Sequence, residues 1–356
     1  MSKEFGWHKP SLWEVNCHRC LAFHQCGGSH TAPCGCFRQG VEHKTCADCH
    51  ISCLDREVWR GNERVDSFRH RLREGLALKA LHLTQPTGLG FPSLILSRTE
   101  LLPQAMTIAD PWVAVHLRCL LPMLRQQQRR RGGEEEELRR RLNVGPGVRL
   151  IGVLNGDDDL LEKLWELDRG SAFARMFAMG IEVITGPTFS VYGEKADLPA
   201  SHNITMLGRH HRYCAEAAES GLTVVPNLYW RNTTDQMAWA EWVAAHPEVV
   251  WLARDFSRTK QQACFQPELA GLLSILERAG RCVNILLTGI GEKKMGLTRQ
   301  RLEAVGSSCA FVTSRPIVAP PEGPSDEERT ATIRKRICEF KERASSAGSL
   351  AAFGSF

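Results

Sequence analysis

From residue 91 onward, short apolar runs alternate with longer amphipathic stretches. Seven runs have the length of a strand: FPSLILS (91–97), VRLIGVLN (148–155), IEVITG (181–186), LTVVPNLYW (222–230), VVWLA (249–253), CVNILLT (282–288) and CAFVTS (309–314). Runs that are apolar throughout, rather than at every second position, are typical of strands buried on both faces. This pattern predicts a parallel β-sheet covered by helices.

The stretches between these runs have the apolar spacing of helices. They cover residues 111–130, 160–180, 204–221, 234–248, 266–280 and 297–306, and a further basic helix is predicted over 326–346. Several end at a glycine, such as Gly180, Gly221 and Gly280, as helices often do. Strands and helices in strict alternation indicate an α/β fold, and we predict a TIM-like (β/α) barrel of seven or eight units. A doubly wound parallel sheet is the alternative, because periodicity does not show whether a sheet closes.

A charged insertion, QQQRRRGGEEEELRRRL (126–142), separates the first and second predicted units. Blocks of like charge usually form a solvated helix or a mobile loop, so we expect a surface insertion. In the alternative interpretation its arginines contact phosphates, and these are Arg129, Arg130, Arg131, Arg139, Arg140 and Arg141. The neighbouring run of four glutamates (134–137) argues against a strong site for a polyanion.

The segment before residue 54 is dominated by cysteine. Eight of the fourteen cysteines of the chain lie there, namely Cys17, Cys20, Cys26, Cys34, Cys36, Cys46, Cys49 and Cys53. They include two C-x-x-C pairs and one C-x-C pair, spacings that direct two sulfurs toward one soft metal ion. We predict that these cysteines bind zinc, with an iron–sulfur cluster as the alternative. The spacing leaves open which cysteines share a site.

Hydropathy and charge bear on location and partners. No apolar run reaches the roughly 18 residues of a membrane helix, and the N-terminus lacks the apolar core of a secretory signal. We therefore expect a cytoplasmic protein with no membrane partner, in which clustered thiols bind metal rather than form disulfides. The alternative is an extracellular module held together by disulfides. The net charge of +5 weakly favours a polyanionic partner, so nucleic acid is the expected partner.

These features predict four segments. Residues 1–53 form a cysteine-rich metal-binding module, and residues 54–90 form a helical connector. Residues 91–346 form the barrel with its charged insertion, and residues 347–356 form a flexible tail.

The candidate catalytic residues are carboxylates that follow predicted strands, because active sites of parallel barrels lie at the carboxyl ends of the strands. Asp255 follows the run VVWLA and is the first candidate for a nucleophile or general base. Asp157, the first of three consecutive aspartates, is the second. Each has an alternative role as the N-cap of the following helix.

The candidate substrate-binding residues also follow strands. Tyr192 and Trp230 could stack on a planar base, although packing at a barrel mouth would explain them equally well. Arg231 and Arg254 could hold a phosphate group, and Asn227 could supply polar contacts.

Two resemblances add to this interpretation. Residues 181–257, with GIEVITGPTFSVYGE and SGLTVVPNLYWRN, resemble an uncharacterised family of phage and mobile-element proteins of unknown function. A barrel with a cysteine-bound metal is similar to the tRNA-guanine transglycosylase group, whose relatives also place 7-deazaguanine bases in DNA. That resemblance implies that Asp255 acts as a strand-end nucleophile. The zinc motif of that group is C-x-C-x-x-C with a distant histidine after the barrel strands, whereas the cysteines here precede the strands.

Three hypotheses follow for function. The first is a metal-containing enzyme that modifies nucleic acid, by transglycosylase-like base exchange on DNA or RNA. The second is a non-catalytic metalloprotein of a mobile element that binds nucleic acid or protein. The third is an iron–sulfur redox or radical enzyme.

Overall fold

The computed structural model describes residues 78, 81–98, 110–125, 133–191, 200–259, 262–317 and 325–346. The predicted metal module (1–53), most of the connector and the tail lie outside the described residues. The chain divides into two compact units. One takes in His82–Thr188, Tyr213–Leu228 and Trp239–Phe356 and contains all the strands of the described residues, and the other includes Phe189–Arg212 and Tyr229–Ala238.

Eight strands form the sheet. They are β1 (Leu94–Arg98), β2 (Trp112–His116), β3 (Arg149–Val153), β4 (Ile181–Thr185), β5 (Thr223–Val225), β6 (Trp251–Asp255), β7 (Asn284–Thr288) and β8 (Cys309–Thr313). Their order is β5-β4-β3-β2-β1-β8-β7-β6, and every neighbouring pair is parallel. Seven of these strands coincide with the seven apolar runs of the sequence.

The two ends of this order, β5 and β6, meet and close the ring. Ala253 N donates to Pro226 O, and Leu228 N donates to Ala253 O, both at 2.8 Å. Asn227 and Ala253 form an isolated parallel bridge at the same place. The fold is therefore a TIM-like α/β barrel, as predicted, and not an open doubly wound sheet.

The amino-terminal half of this seam is bridged by a side chain, that of Gln85. Its Nε2 donates to Val224 O and Trp251 O, both at 2.8 Å. Its Oε1 accepts from Val250 N at 3.0 Å and from Trp251 N at 2.8 Å. Gln85 is buried, and one amide thus satisfies backbone groups of both strands, as a peptide of an added strand would.

The barrel interior is apolar below its carboxyl end. Its inward-facing residues include Ile95, Ala114, Ile151, Val153, Val183, Val225, Ala253, Leu286, Ala310 and Val312. At the amino-terminal end, the Phe91 ring packs edge-on against Trp112 at 4.8 Å and Trp251 at 4.7 Å between centroids. The indole of Trp251 also donates to Leu89 O at 2.9 Å, so the segment before β1 plugs this end of the barrel.

Nine helices of the described residues accompany the strands. They are α1 (Leu117–Arg125), α2 (Glu134–Leu142), α3 (Asp158–Trp165), α4 (Arg169–Ala178), α5 (Ala200–Glu219), α6 (Thr233–Ala245), α7 (Gln262–Ala279), α8 (Glu292–Ala304) and α9 (Asp326–Ser345). The helix predicted over 160–180 is in fact two helices, because Asp168 caps α4 by accepting from Ser171 N at 2.8 Å. None of the helices in these ranges is long and apolar enough to cross a membrane.

The prediction of a helix over 111–130 is wrong for its first residues. Residues Trp112–His116 are strand β2, and helix α1 begins at the very next residue, Leu117. All five strand positions are buried or partly buried. Because no turn separates strand from helix, the apolar positions of both merge into one pattern that looks helical.

The charged insertion contains helix α2, whose charges pair within the helix. Arg139 pairs with Glu135, and Arg140 and Arg141 both pair with Glu137. Leu138 and Leu142 are buried, and Arg139 also donates to the carbonyls of residues 145 and 148. The described part of the insertion is therefore a solvated helix with one buried edge, as predicted, and Arg129–Arg131 lie outside the described residues.

The second unit contains a buried aromatic cluster. The His210 ring packs edge-on against His211 and Tyr229, with centroids 5.6 and 4.8 Å apart. The Tyr229 hydroxyl donates to Met206 O at 3.4 Å. Burial, together with the neighbouring His210, holds the pKa of His211 well below its ordinary value. His211 is therefore neutral at pH 7 and serves as a packing residue.

Candidate active site at the carboxyl end of the barrel

A polar layer covers the apolar interior at the carboxyl ends of the strands. Side chains alternate between the two faces of a strand, so the position two residues beyond the last inward apolar residue also faces inward. This rule selects one residue at or just after the end of each strand, namely Ser97, His116, Asn155, Thr185, Asn227, Asp255, Thr288 and Ser314. All eight are polar. The carboxyl end of a parallel barrel is where active sites form, and this layer is the candidate site.

A chain of hydrogen bonds crosses this layer. Asn155 Nδ2 donates to Thr288 Oγ1 at 2.6 Å, and Thr288 Oγ1 donates to Asp255 Oδ1 at 2.8 Å. Strands β3 and β7 are four places apart in the eight-strand order, so the bond from Asn155 to Thr288 spans the barrel. The Thr288 hydroxyl has one proton, and because Asp255 receives it, the hydroxyl oxygen must accept from Asn155. The carboxylate thus fixes the orientation of the amide.

The Asp255 carboxylate is held from a second side by Ser257. Ser257 N donates to Oδ1 at 2.9 Å, and Ser257 Oγ donates to Oδ2 at 2.8 Å. The following helix, α7, begins at Gln262, so Asp255 is not its N-cap. Three donors therefore orient a carboxylate at the barrel mouth, which suits a nucleophile or a base.

A glycine makes this support possible. Gly289, which follows β7, has φ +74°, and a Cβ there would lie 2.2 Å from Ser257 N. Only glycine allows the β7 loop to lie against Ser257, and Ser257 in turn holds Asp255.

His116 lies close enough to Asp255 and Asp157 for their charges to affect it. Its Nδ1 accepts from Arg118 N at 3.1 Å, so in the neutral ring the proton is on Nε2. Burial and the nearby Arg118 charge lower the pKa of His116, while Asp255 and Asp157 oppose that shift. His116 is therefore a neutral hydrogen-bond donor at pH 7.

Asp157 has the role of a helix cap. Its carboxylate accepts from Leu160 N at 3.0 Å at the start of α3, and it lies 3.9 Å from the Arg118 guanidinium. The neighbouring Asp158 lies 3.4 Å from Arg258, which follows β6. These exposed pairs connect the rims of the mouth, so Asp157 belongs to the rim rather than to the polar layer.

The predicted substrate-binding residues are placed differently. Arg254 precedes Asp255 and faces the helix layer, where it donates to Leu228 O at 2.5 Å and pairs with Glu268 of α7. Asn227 is buried at the seam and donates to Gly186 O. The structure brings Asn227 into the polar layer and directs Arg254 away from it.

Two further predicted residues belong to the second unit. Arg231 forms a two-pronged ion pair with Asp235, with both contacts at 2.7 Å, so its guanidinium faces a carboxylate rather than a free phosphate site. Trp230 is partly buried on the same loop. Tyr192 lies outside the described residues.

The metal prediction is also outside the described residues, because all eight predicted ligands precede residue 54. Within the described ranges, no group of three or more histidine, cysteine or acidic side chains could hold a metal ion. The cysteines in those ranges are free thiols, namely Cys119, Cys214, Cys264, Cys282, Cys309 and Cys338. The predicted zinc or iron–sulfur site stays a prediction.

Comparison with known proteins assigns neither a family nor a function to the chain. No family model matches the chain, and no curated protein matches it. Among solved structures, an L-ribulose 3-epimerase matches with a TM-score of 0.37 and 12% identity. The match covers 66% of this chain and 86% of the epimerase chain. At this similarity the match carries no argument about the chain.

Proposed function

We propose that the chain is an enzyme that exchanges a base in nucleic acid by displacement at the glycosidic carbon. The observation that carries the proposal is the Asp255 carboxylate, which three hydrogen bonds orient at the barrel mouth. Its charge acts on the neutral imidazole of His116. A positioned carboxylate can form a covalent sugar intermediate and split a difficult substitution into two easier ones.

In the first half of this reaction, Asp255 Oδ2 attacks the anomeric carbon and the bond from that carbon to the base nitrogen breaks. The electron pair of the broken bond leaves with the base, which takes a proton from solvent. The Nε2–H of His116 donates a hydrogen bond to the departing base and stabilises its developing charge. In the second half, an incoming base loses a proton and attacks the same carbon, and the carboxylate is released unchanged.

The rim of the mouth suits a polyanionic substrate. Arg118 and Arg258 have half or more of their side chains exposed, and their partners Asp157 and Asp158 lie at 3.9 and 3.4 Å. Exposed pairs of this kind contribute little to stability, so a phosphate could replace the carboxylate at either arginine. The net charge of +5 acts in the same direction.

The test is incorporation of radiolabelled guanine and 7-deazaguanine into RNA and DNA by the purified full-length protein. We expect incorporation by wild type and a loss of at least about 10³-fold in Asp255→Asn. Asp159→Asn is the matched control, since Asp159 is an exposed acid that pairs with Lys163 and should leave the rate unchanged. Full activity in Asp255→Asn would refute the mechanism, and binding without incorporation in wild type would favour a non-catalytic binding protein.

A further inference from the structure

Asn155 carries a buried acceptor that no described residue satisfies. The residue is only 7% exposed, and its Oδ1 is fully covered, yet no hydrogen-bond donor in the described part of the chain reaches that atom. The amide nitrogen of the same side chain is used, because it donates to Thr288.

The described residues have little means to satisfy this oxygen. Turning the amide over would require a proton from Thr288, and that proton is committed to Asp255. A buried acceptor without a donor destabilises a fold, so such atoms commonly mark a place where a ligand or a water binds.

We propose that Asn155 Oδ1 accepts a hydrogen bond from the 2′-hydroxyl of the substrate sugar, so that the enzyme prefers RNA to DNA. The proposal rests on the proposed function, in which Asp255 attacks the anomeric carbon. The 2′-hydroxyl is on the adjacent carbon, and Asn155 is linked to Asp255 through only two hydrogen bonds, at 2.6 and 2.8 Å.

The chemistry of nucleic acid narrows the choice of donor. The 3′ and 5′ oxygens of an internal nucleotide are esterified, so the 2′-hydroxyl is the only sugar donor, and it is present in RNA alone. A site built to bind a hydroxyl discriminates strongly against an analogue that lacks it, because the buried acceptor is then left without a partner.

The experiment compares RNA oligonucleotides with 2′-deoxy, 2′-fluoro and 2′-O-methyl versions of the same sequence in the base-incorporation assay. None of the three analogues can donate at the 2′ position. For wild type we expect each analogue to react about 10–100-fold more slowly in kcat/KM, the range given by one lost buried hydrogen bond.

Two variants separate the acceptor from the link to Thr288. Asn155→Leu removes the acceptor, so RNA and DNA should react at similar rates. Asn155→Asp keeps acceptor oxygens but loses the donor to Thr288, so the overall rate should fall while the preference for RNA persists. Thermal unfolding of each variant confirms that it is folded, and the wild-type substrate series is informative even if neither variant folds.

The outcomes are distinct. Equal rates for RNA and for all three analogues with wild type overturn the 2′-hydroxyl proposal and leave base exchange standing. A preference for RNA that survives in Asn155→Leu overturns the role of Asn155. No incorporation into any polymer overturns the proposed function and this inference with it.

Discussion

Replacing Gln85 should measure how much of the barrel's stability depends on its seam. The Gln85 side chain makes four hydrogen bonds with backbone groups of β5, β6 and the residue before β6, all between 2.8 and 3.0 Å. A buried hydrogen bond contributes about 1 kcal/mol net, so Gln85→Ala should lower the free energy of unfolding by about 3–5 kcal/mol. That is a large fraction of the stability of an ordinary domain.

Gln85→Glu divides this effect, because its carboxylate can still accept from Val250 N and Trp251 N but cannot donate to the two carbonyls. It should lose at least half of the stabilisation, about 2 kcal/mol or more. The matched control is Thr84→Ala, an exposed neighbour on the same segment, which should stay within about 0.5 kcal/mol of wild type.

Guanidinium denaturation followed by tryptophan fluorescence measures these differences, and Trp251, whose backbone Gln85 contacts, is one of the nine tryptophans that contribute to the signal. The reasoning would be refuted if the free energy of unfolding of Gln85→Ala were within about 1 kcal/mol of the wild-type value, because that is the contribution of a single buried hydrogen bond. It would also be refuted if Thr84→Ala were as destabilising as Gln85→Ala.

Four other measurements test the remaining structure. Titration of His116 by NMR should show a lower pKa in Asp255→Asn and a higher pKa in Arg118→Ala, because the two charges act in opposite directions; unchanged values would contradict their proximity. The free energy of unfolding should fall as the pH drops below about 6.5. In the unfolded chain His116 and His211 take up protons in this range, whereas in the folded protein their lowered pKa values keep them neutral. A free energy of unfolding that does not change with pH would contradict this. Gly289→Ala should lower the free energy of unfolding by more than about 2 kcal/mol and reduce the rate of base exchange. The control is Gly280→Ala, also at positive φ but with no atom near its Cβ, which should cost about 1 kcal/mol. Equal effects of the two variants would contradict the role assigned to Gly289. Elemental analysis of anaerobically purified protein should find stoichiometric zinc, and the protein should be colourless. A brown protein that contains iron would favour the iron–sulfur alternative. Absence of both metals would contradict the metal prediction.

The sequence was informative about the strands because burial on both faces leaves a continuous apolar run. It is misleading at β2, where the run WVAVH passes into α1 without a turn and the combined pattern predicts a helix. That error also hid His116, since a histidine inside a predicted helix does not look like a strand-end residue. The signal was present, because a polar side chain ends an apolar run there as it does after the other strands.

Closure of the barrel could not be predicted from periodicity. The seam depends on two backbone hydrogen bonds around Ala253 and on the amide of Gln85, and neither has a sequence signature. The placement of Arg254 follows from the alternation of side chains along a strand. Adjacent residues of a strand face opposite sides of the sheet, so if Asp255 faces the barrel mouth, Arg254 must face the helices. Choosing candidates only because they follow a strand ignores this alternation.

The glutamine at the seam also bears on the order of folding. Its partners lie 139 and 166 positions farther along the chain, so the ring can close only after most of the barrel has been synthesised. Contacts this distant in sequence are slow to form, which leaves the edges of β5 and β6 open to pairing with other molecules in the meantime. A fragment that starts at residue 91 would contain all eight strands but would lack Gln85 and its hydrogen bonds across the seam. It should aggregate during refolding more readily than the full-length protein.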